Sequence, residues 1–325
     1  MKSRKVLTSY FIIALGFFIV TYILLALVHA SASSKTLYYK KLCHDFYDIL
    51  FIDYQQGWLG GKGGILFKTE DGGYNWNKVN TKADEAIFCF SFIDKDFGWA
   101  VGQFGLILST ADGGKTWNRQ KNLLNNHLFS VEFTDKSHGM AAGDWGKIIR
   151  TDDGGKYWHD ISLEEDIILY DIEMIDNLEG WLAAETGVLF HTIDGGKTWE
   201  RRNLGMGKTF FSIAFDKHGR GIAVGMEGIV CISQDRGKTW KTTKGVSHSL
   251  YNVILDDGKG IAIGDTAAIY ETRDGGITWE TIESPLYMKQ NWFQCAGRLG
   301  ENKYIIAGAR GSALFIHNTK IKNYQ

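Results

Sequence analysis

Proline is almost absent from this chain: Pro285 is the only one among 325 residues, where an average protein has about 5%. This scarcity excludes collagen-like proteins and proline-rich stalks. Neither sign of charge is in excess, since 36 basic and 37 acidic residues give a formal net charge of −1. No overall positive field favours nucleic acid, so we predict no nucleic-acid partner. The hydrophobic content of 44% excludes an intrinsically disordered chain.

Motifs for catalysis, metal binding and cofactor binding are also missing. The four cysteines form no C-x-x-C pair, and the chain has no phosphate-binding glycine loop, no H-E-x-x-H segment and no Ser-His-Asp signature. We therefore predict no catalytic residue, no metal site and no cofactor. The cysteines are expected to be buried as small apolar residues rather than paired; they are Cys43, Cys89, Cys231 and Cys295.

The N-terminus contains one long apolar run. Lys2, Arg4 and Lys5 precede residues 6–28, which carry no charge over 23 positions. A helix of this length spans about 35 Å, enough to cross a hydrocarbon core of about 30 Å. A retained anchor and a cleaved signal peptide with a small-residue site near Ala30 both fit the pattern, and both export the rest of the chain. We assign residues 1–30 to this signal-anchor or transmembrane segment and 31–41 to a linker. The expected location is membrane-anchored on the outer side (periplasmic, extracellular or lumenal), or secreted if the segment is cleaved.

Glycine is what the chain has in excess, with 39 residues against an average near 7%. Many of the glycines belong to an octapeptide that occurs six times, at steps of 41, 41, 41, 41 and 39 residues; five copies have the form Thr-x-Asp-Gly-Gly-x-x-Trp, and the fifth begins with Ser233 and has Arg236 in place of the first glycine. A fixed period of this size indicates a repeat array. The box aspartates are Asp71, Asp112, Asp153, Asp194, Asp235 and Asp274, and the box tryptophans are Trp76, Trp117, Trp158, Trp199, Trp240 and Trp279.

Each repeat has the pattern of four short strands. In the second repeat these are residues 87–93, 98–101, 106–110 and 116–119, with the Asp-Gly-Gly turn between the last two. Seven such units fill residues 42–325, although the seventh has lost its box. We predict an all-β, seven-bladed β-propeller of four-stranded antiparallel blades. Because a closed ring leaves no open edge, residues 37–42 or 320–324 should supply the outer strand of the closing blade.

The octapeptide resembles the Asp-box, or BNR repeat, of sialidases, sortilin-type receptors and xyloglucanases. Six copies at this period, with Gly98–Gly102 reading Gly-Trp-Ala-Val-Gly ahead of the box, are most similar to the photosystem II assembly/stability factor family. That family comprises plastid and cyanobacterial seven-bladed propellers and relatives in non-photosynthetic bacteria. The resemblance covers about residues 42–318. It implies a non-catalytic assembly factor whose propeller arginines bind a nascent polypeptide, but no arginine of this chain can be matched to them individually.

The boxes themselves are interpreted as structural. Calcium would need five or six oxygen ligands closed by a glutamate, and no box has them. Instead, we expect each aspartate to accept N–H bonds within its own turn and each tryptophan to pack between blades. Arg236 replaces the first glycine of the fifth box. Because a non-glycine residue is strained at positive φ, either that turn should differ or Arg236 should have a negative φ.

The candidate binding face is the one formed by the turns between the second and third strands. The two residues before each turn glycine include an acidic residue in blades 3 to 6 and a basic residue in blades 7 and 1. We therefore predict that four carboxylates form an arc around the channel mouth and that a pair of basic side chains completes the circle. Two arginines after the fourth box suggest a basic groove along blades 4 and 5. Ordinary solvated polar turns are the alternative for both. The candidate partner or ligand residues are Lys62, Phe104, Asp144, Trp145, Glu185, Glu227, Asp265, Arg310, Arg201 and Arg202.

The sequence is compatible with three functions. The first is a non-catalytic scaffold or assembly factor that binds a protein partner at or near a membrane. The second is a carbohydrate-binding protein or glycoside hydrolase; Asp144 and Glu185 could form the required carboxylate pair, but the Arg-Ile-Pro segment of sialidases is absent because Ser284 precedes the only proline. The third is a sortilin-type receptor, which the lack of a following cysteine-rich region disfavours.

Overall fold

The computed structural model describes residues 36–41, 44–122 and 124–317. They form seven antiparallel sheets of four strands each. The first strand of every sheet contacts the first strands of both neighbouring sheets, so the seven sheets close into a ring around a central channel. This confirms the predicted seven-bladed propeller. In blade 2 the observed strands agree with the predicted ones to within two residues.

Six blades are continuous in sequence and run from the channel outward. Strand β1 (Thr36–Lys41) belongs to the last blade. Blades 1 to 3 comprise β2 (Phe46–Phe51), β3 (Gly57–Gly61), β4 (Leu66–Thr69), β5 (Asn77–Val79), β6 (Ile87–Phe92), β7 (Gly98–Gly102), β8 (Ile107–Thr110), β9 (Asn118–Arg119), β10 (Leu128–Phe133), β11 (Gly139–Gly143), β12 (Ile148–Thr151) and β13 (His159–Asp160). Blades 4 to 6 comprise β14 (Leu169–Met174), β15 (Gly180–Ala184), β16 (Val188–Thr192), β17 (Glu200–Asn203), β18 (Phe210–Phe215), β19 (Gly221–Gly225), β20 (Val230–Ser233), β21 (Lys241–Thr242), β22 (Leu250–Asp256), β23 (Lys259–Gly264), β24 (Ile269–Thr272) and β25 (Glu280–Thr281).

Blade 7 is closed by the N-terminal strand. It comprises β26 (Phe293–Gly300), β27 (Lys303–Gly308) and β28 (Ser312–His317), and β1 pairs antiparallel with β28. Of the two predicted closing segments, residues 37–42 therefore supply the outer strand. This strand occupies most of the segment 31–41 that the sequence suggested as a linker. The apolar run at residues 6–28, Cys43 and residues 320–324 lie outside the described ranges, within which no helix is long and apolar enough to cross a membrane.

The hydrophobic core is divided among the seven blade interfaces. Each of seven clusters joins residues of two neighbouring blades. In the cluster between blades 1 and 2, Trp117 of the second box packs with Trp58 of β3, and Trp58 stacks on Phe92 with ring centroids 3.7 Å apart. Six of the clusters contain a box tryptophan, and the one between blades 6 and 7 does not, because blade 7 has no box.

The Asp-box is a turn whose polar groups form hydrogen bonds with one another. In blade 2, Thr110 Oγ1 donates to Asp112 Oδ1 at 2.8 Å, and the Thr116 N–H donates to the same oxygen at 2.9 Å. The Gly114 N–H donates to Thr110 Oγ1 at 2.8 Å. Burial alone would raise the pKa of Asp112, but the hydrogen bonds from Thr116 and Thr110 outweigh it and lower the pKa to about 2. The same three contacts recur in the other five boxes.

The prediction for Arg236 is wrong in both of its forms. Arg236 has a φ of 61°, and the fifth box keeps the same hydrogen bonds as the others. The side chain explains why the strained conformation persists, because Arg236 Nε lies 2.7 Å from Glu179 Oε2 and Nη2 lies 2.5 Å from Asp176 Oδ2, both in the preceding blade. These contacts offset the backbone strain.

Candidate functional site

The turns between the second and third strands of all seven blades lie at one mouth of the channel. In each blade, the first residue of the turn donates its N–H to the carbonyl of the residue that precedes the innermost strand. Lys62 donates to Asp45 in this way at 3.0 Å, and Asp144 donates to His127 at 3.2 Å. Because the innermost strand begins beside each turn, the candidate residues Lys62, Phe104, Asp144, Trp145, Glu185, Glu227, Asp265 and Arg310 belong to one face.

Most of these turns hold a side chain in the left-handed region. The second turn residue has a φ between 52° and 58° in blades 2 to 7. That conformation is uncommon outside glycine. Phe104 and Trp145, which hold this position in blades 2 and 3, are 52% and 63% exposed. The mouth face therefore carries two large, exposed aromatic side chains.

The predicted acidic arc is present but is partly occupied by local contacts. Glu185 accepts the Ile168 N–H at 3.1 Å, and Asp265 accepts the Thr266 N–H at 2.8 Å. Glu227 pairs with Lys208, whose Nζ lies 3.1 Å away, and the sequence did not indicate this pair. The fourth carboxylate, that of Asp144, makes weaker contacts: its Oδ2 lies 4.0 Å from His127 Nδ1, and its buried Oδ1 has no hydrogen-bond partner among the described residues.

The basic side of the mouth contains a carboxylate that the sequence did not reveal. The backbone N–H of Arg310 donates to Asp45 Oδ1 at 2.7 Å. Asp45 precedes the first blade and Arg310 belongs to the seventh, 265 residues away, so no local pattern could have joined them. Blades 7 and 1 therefore combine Lys62 and Arg310 with an acidic group.

A ring of aromatic side chains just inside the mouth is the feature that the sequence reasoning missed. Each innermost strand carries a β-bulge after its first residue, and the pairing with the second strand skips one position. A bulge redirects the extra side chain. The skipped residues are Tyr47, Phe88, Phe129, Tyr170, Phe211, Tyr251 and Gln294. The sequence does hold a signal for the six aromatics, because they recur at nearly the same 41-residue step as the boxes.

The six aromatics touch one another in blade order. Their ring centroids are 5.3, 5.6, 5.9, 5.1 and 5.6 Å apart from blade 1 to blade 6. All six are partly exposed. Two further rings lie next to the arc: His127, which precedes β10, and Phe104 of the turn in blade 2, with centroids 5.0 Å apart. The six rings therefore form an aromatic arc from blade 1 to blade 6, and Gln294 takes the corresponding position in blade 7.

Carboxylates lie close to three of these rings. Burial, and then the negative charge of Glu185, raise the pKa of Tyr170 to about 12. Burial also raises the pKa of Tyr47 and of Tyr251, and the neighbouring charges of Asp45 and Asp265 add to the effect. The arc therefore carries acidic groups of the same blades beside its phenols.

Below the arc, polar side chains tie the innermost strands together. Asp48 Oδ2 accepts the Phe90 N–H of the next blade at 2.7 Å, and Asp171 Oδ2 accepts the Ile213 N–H at 3.0 Å. Burial raises the pKa of Glu132 to about 8, assisted by the charge of Asp171, and it raises the pKa of nearby Glu173 well above its usual range. No group of three or more His, Cys, Asp or Glu side chains in the described part of the chain is arranged to hold a metal ion.

The second predicted surface, around Arg201 and Arg202, lies apart from the mouth. The two arginines line a cavity of about 500 Å³ between the outer parts of blades 4 and 5, together with Trp181, Lys238 and Trp240. Arg201 Nε lies 3.3 Å from Glu165 Oε2, and Arg202 pairs with Glu200 at 2.8 Å. Both arginines are thus already paired with acids.

Comparison with known proteins places this architecture in a family. Residues 33–128 and 120–207 match the family model described as "Photosynthesis system II assembly factor YCF48". No curated protein sequence matches the chain.

Several solved structures are similar to the propeller. A structure described as "YCF48 bound to D1 peptide" has a TM-score of 0.73 at 21% identity, covering 88% of this chain and 98% of that one. YCF48 from Cyanidioschyzon merolae has a TM-score of 0.70 at 18% identity, covering 86% and 98%. A GH74 xyloglucanase from Xanthomonas campestris has a TM-score of 0.70 at 12% identity, covering 86% of this chain and 53% of its own. These structural likenesses show the fold, and the sequence match to the family model shows that the chain belongs to the photosynthesis system II assembly factor YCF48 family.

Proposed function

We propose that this protein is a non-catalytic scaffold or assembly factor that holds a protein partner at the mouth of its propeller channel, on the outer side of a membrane. The family supports assembly rather than catalysis. A member of the family has been solved with a bound D1 peptide, and this supports a polypeptide as the class of partner.

One observation carries the choice of the mouth: the six partly exposed aromatics of the arc and the exposed side chains of Phe104 and Trp145 gather on the face that also carries Asp144. Aromatic side chains are enriched where proteins bind one another. The closed ring of blades holds them rigidly, so little conformational entropy is lost on binding.

The N-terminal sequence supports a place at the membrane. Seven residues separate the apolar run at 6–28 from β1, which begins at Thr36. Seven residues span at most about 25 Å. A retained anchor would therefore hold the propeller against the bilayer and raise its effective concentration for membrane partners. Gel mobility tests the anchor, since cleavage would remove about 3 kDa.

Crosslinking pull-down from membranes tests the function. Wild type should recover a membrane protein complex, and Asp144→Lys should abolish the capture without changing thermal stability. Asp96→Lys is the matched control and should capture normally, because the Asp96 carbonyl accepts the Gly113 N–H of the second Asp-box turn, at the opposite end of the blade from the mouth. If Asp144→Lys left the capture unchanged, the partner would not bind at the channel mouth.

A carbohydrate-directed function is the second candidate, because aromatic rings and carboxylates on one face also suit a sugar. Glycoside hydrolysis needs two carboxylates about 5–9.5 Å apart, and Asp144 and Glu185 lie in adjacent blades. Release of reducing sugar from a glycan panel, together with no captured protein, would favour this function over the scaffold.

A further inference from the structure

Carboxylates lie beside the aromatic rings at the channel mouth, and together these groups favour one sign of charge in a ligand. Blades 1, 4 and 6 each place a carboxylate beside a tyrosine of the arc, and each carboxylate raises the energy of a further negative charge there. An anionic ligand would meet this repulsion. A cation would meet the opposite, because aromatic faces and carboxylates both attract positive charge.

Blade 3 adds an acceptor without a donor. Asp144 Oδ1 is buried and has no hydrogen-bond partner in the described residues, and its Oδ2 is 4.0 Å from His127. Because Oδ1 is buried and the side chain as a whole is partly exposed, Oδ2 is the oxygen that a donor from a ligand can reach. His127 stands between Phe104 and Phe129, with centroid distances of 5.0 and 6.1 Å. A ligand N–H that reaches Asp144 would therefore lie beside aromatic rings.

The spacing of the arc limits what can enter. Neighbouring centroids are 5.1–5.9 Å apart, and a seven-fold ring of that spacing places opposite centroids roughly 12 Å apart before the rings' own thickness is subtracted. An α-helix with its side chains is about 10–12 Å wide, so it does not fit. One extended side chain does fit.

Resting on the proposed function, we propose that the channel mouth receives a lysine or arginine side chain of the partner polypeptide, held by the aromatic arc and the carboxylates Asp144, Glu185 and Asp265. The basic pair Lys62 and Arg310 lies at blades 1 and 7, where Gln294 interrupts the arc. The cation is therefore directed toward blades 3 to 6, and the acidic or neutral part of the peptide toward blades 7 and 1.

The test uses the full chain in detergent micelles and a fluorescein-labelled glycine–serine peptide with one central arginine and one central lysine. Its neutral counterpart carries citrulline and acetyl-lysine at the same positions. Fluorescence anisotropy should show the charged peptide binding at least about tenfold more tightly, and the difference should shrink as ionic strength rises. Equal binding of the two peptides would overturn the proposal.

Four variants locate the site. Tyr170→Leu and Phe129→Leu keep an apolar side chain but remove a ring, and each should weaken binding of the charged peptide about 3- to 30-fold. Asp144→Asn should weaken it with no change in melting temperature. Tyr157→Leu is the matched control, since Tyr157 is 62% exposed in the third Asp-box, and it should bind as wild type does. Loss of binding in the control but not in the mouth variants would refute the assignment.

This proposal and the proposed function fail separately. If neither peptide binds while crosslinking still captures a membrane protein and Asp144→Lys abolishes that capture, the scaffold stands and cation recognition is overturned. If crosslinking captures nothing, the scaffold is overturned, whereas a preference for the charged peptide would still support cation recognition at the mouth.

Discussion

Arg236 allows the cost of a left-handed residue to be measured inside a working turn. Its φ of 61° stands where the other five boxes have glycine at 70–77°. A non-glycine residue in this region costs about 1–2 kcal/mol. Its two ion pairs, to Asp176 and Glu179, involve a side chain that is 40% exposed and contribute about 0.2–1 kcal/mol each. The two effects are of similar size and opposite sign.

We therefore expect Arg236→Gly to leave the free energy of unfolding within about 1 kcal/mol of wild type, because strain and ion pairs are lost together. Arg236→Ala loses the ion pairs but keeps the strain, so it should be about 1 kcal/mol less stable than the glycine variant. Urea unfolding of the detergent-solubilised chain, followed by tryptophan fluorescence, measures both values.

Gly275 supplies the matched control. It holds the same position in the sixth box with a φ of 73°, and a Cβ there would meet nothing closer than 3.4 Å. Gly275→Ala should therefore cost about 1 kcal/mol from backbone strain alone. Equal stabilities for Arg236→Ala and Arg236→Gly would refute the strain argument. If Asp176→Asn destabilises the Arg236→Gly protein as much as wild type, the ion-pair argument fails instead.

Three further predictions concern the repeat and the channel. Glu132→Gln should be more stable than wild type at pH 9 but not at pH 4. Because the pKa of Glu132 is raised, the stability that the neutral carboxyl contributes is present below pH 4.5 and is lost as the pH rises through about 8. Urea unfolding midpoints measured across this pH range for both proteins would show the difference. Asp112→Ala should cost about 1–3 kcal/mol in urea unfolding because Thr110 and Thr116 lose their acceptor; no loss would mean that the box turn holds without it. Gly102→Ala should prevent folding, judged by circular dichroism, since its Cβ would lie 1.9 Å from a backbone oxygen, whereas Gly63→Ala, with open space around it, should fold.

The architecture was predictable because the same physical requirement returns every 41 residues. The second glycine of each box must let the turn approach the preceding blade: a Cβ on Gly114 would lie 2.2 Å from Trp58 Nε1, and one on Gly237 would lie 2.3 Å from Trp181. Because packing imposes this requirement in every blade that has a box, glycine recurs at the same position of the repeat. The closing strand could be predicted to come from one of two segments, because only a closed ring pairs the backbone hydrogen-bonding groups at the sheet edges.

The contacts that bridge blades were not predictable from local pattern. Arg310 reaches Asp45 across the closure of the ring, and Lys208 neutralises Glu227 from a connecting loop. Arg236 shows the same limit for backbone conformation, because its φ is held by two acids 57 and 60 residues earlier in the chain. In each case the partner is set by the closed ring rather than by the neighbouring sequence.

The aromatic arc changes where function should be sought in such a repeat. Repeated columns are usually explained by packing, and the box tryptophans are explained in that way because they fill the blade interfaces. The bulged column is equally regular, yet its six aromatics remain partly exposed, and apolar surface left exposed in a rigid concave site is surface available for binding. Gln294 and the uneven distribution of rim charges then break the symmetry and give the mouth a direction. A repeated column can therefore supply the binding chemistry, while the residues that differ between blades orient the ligand.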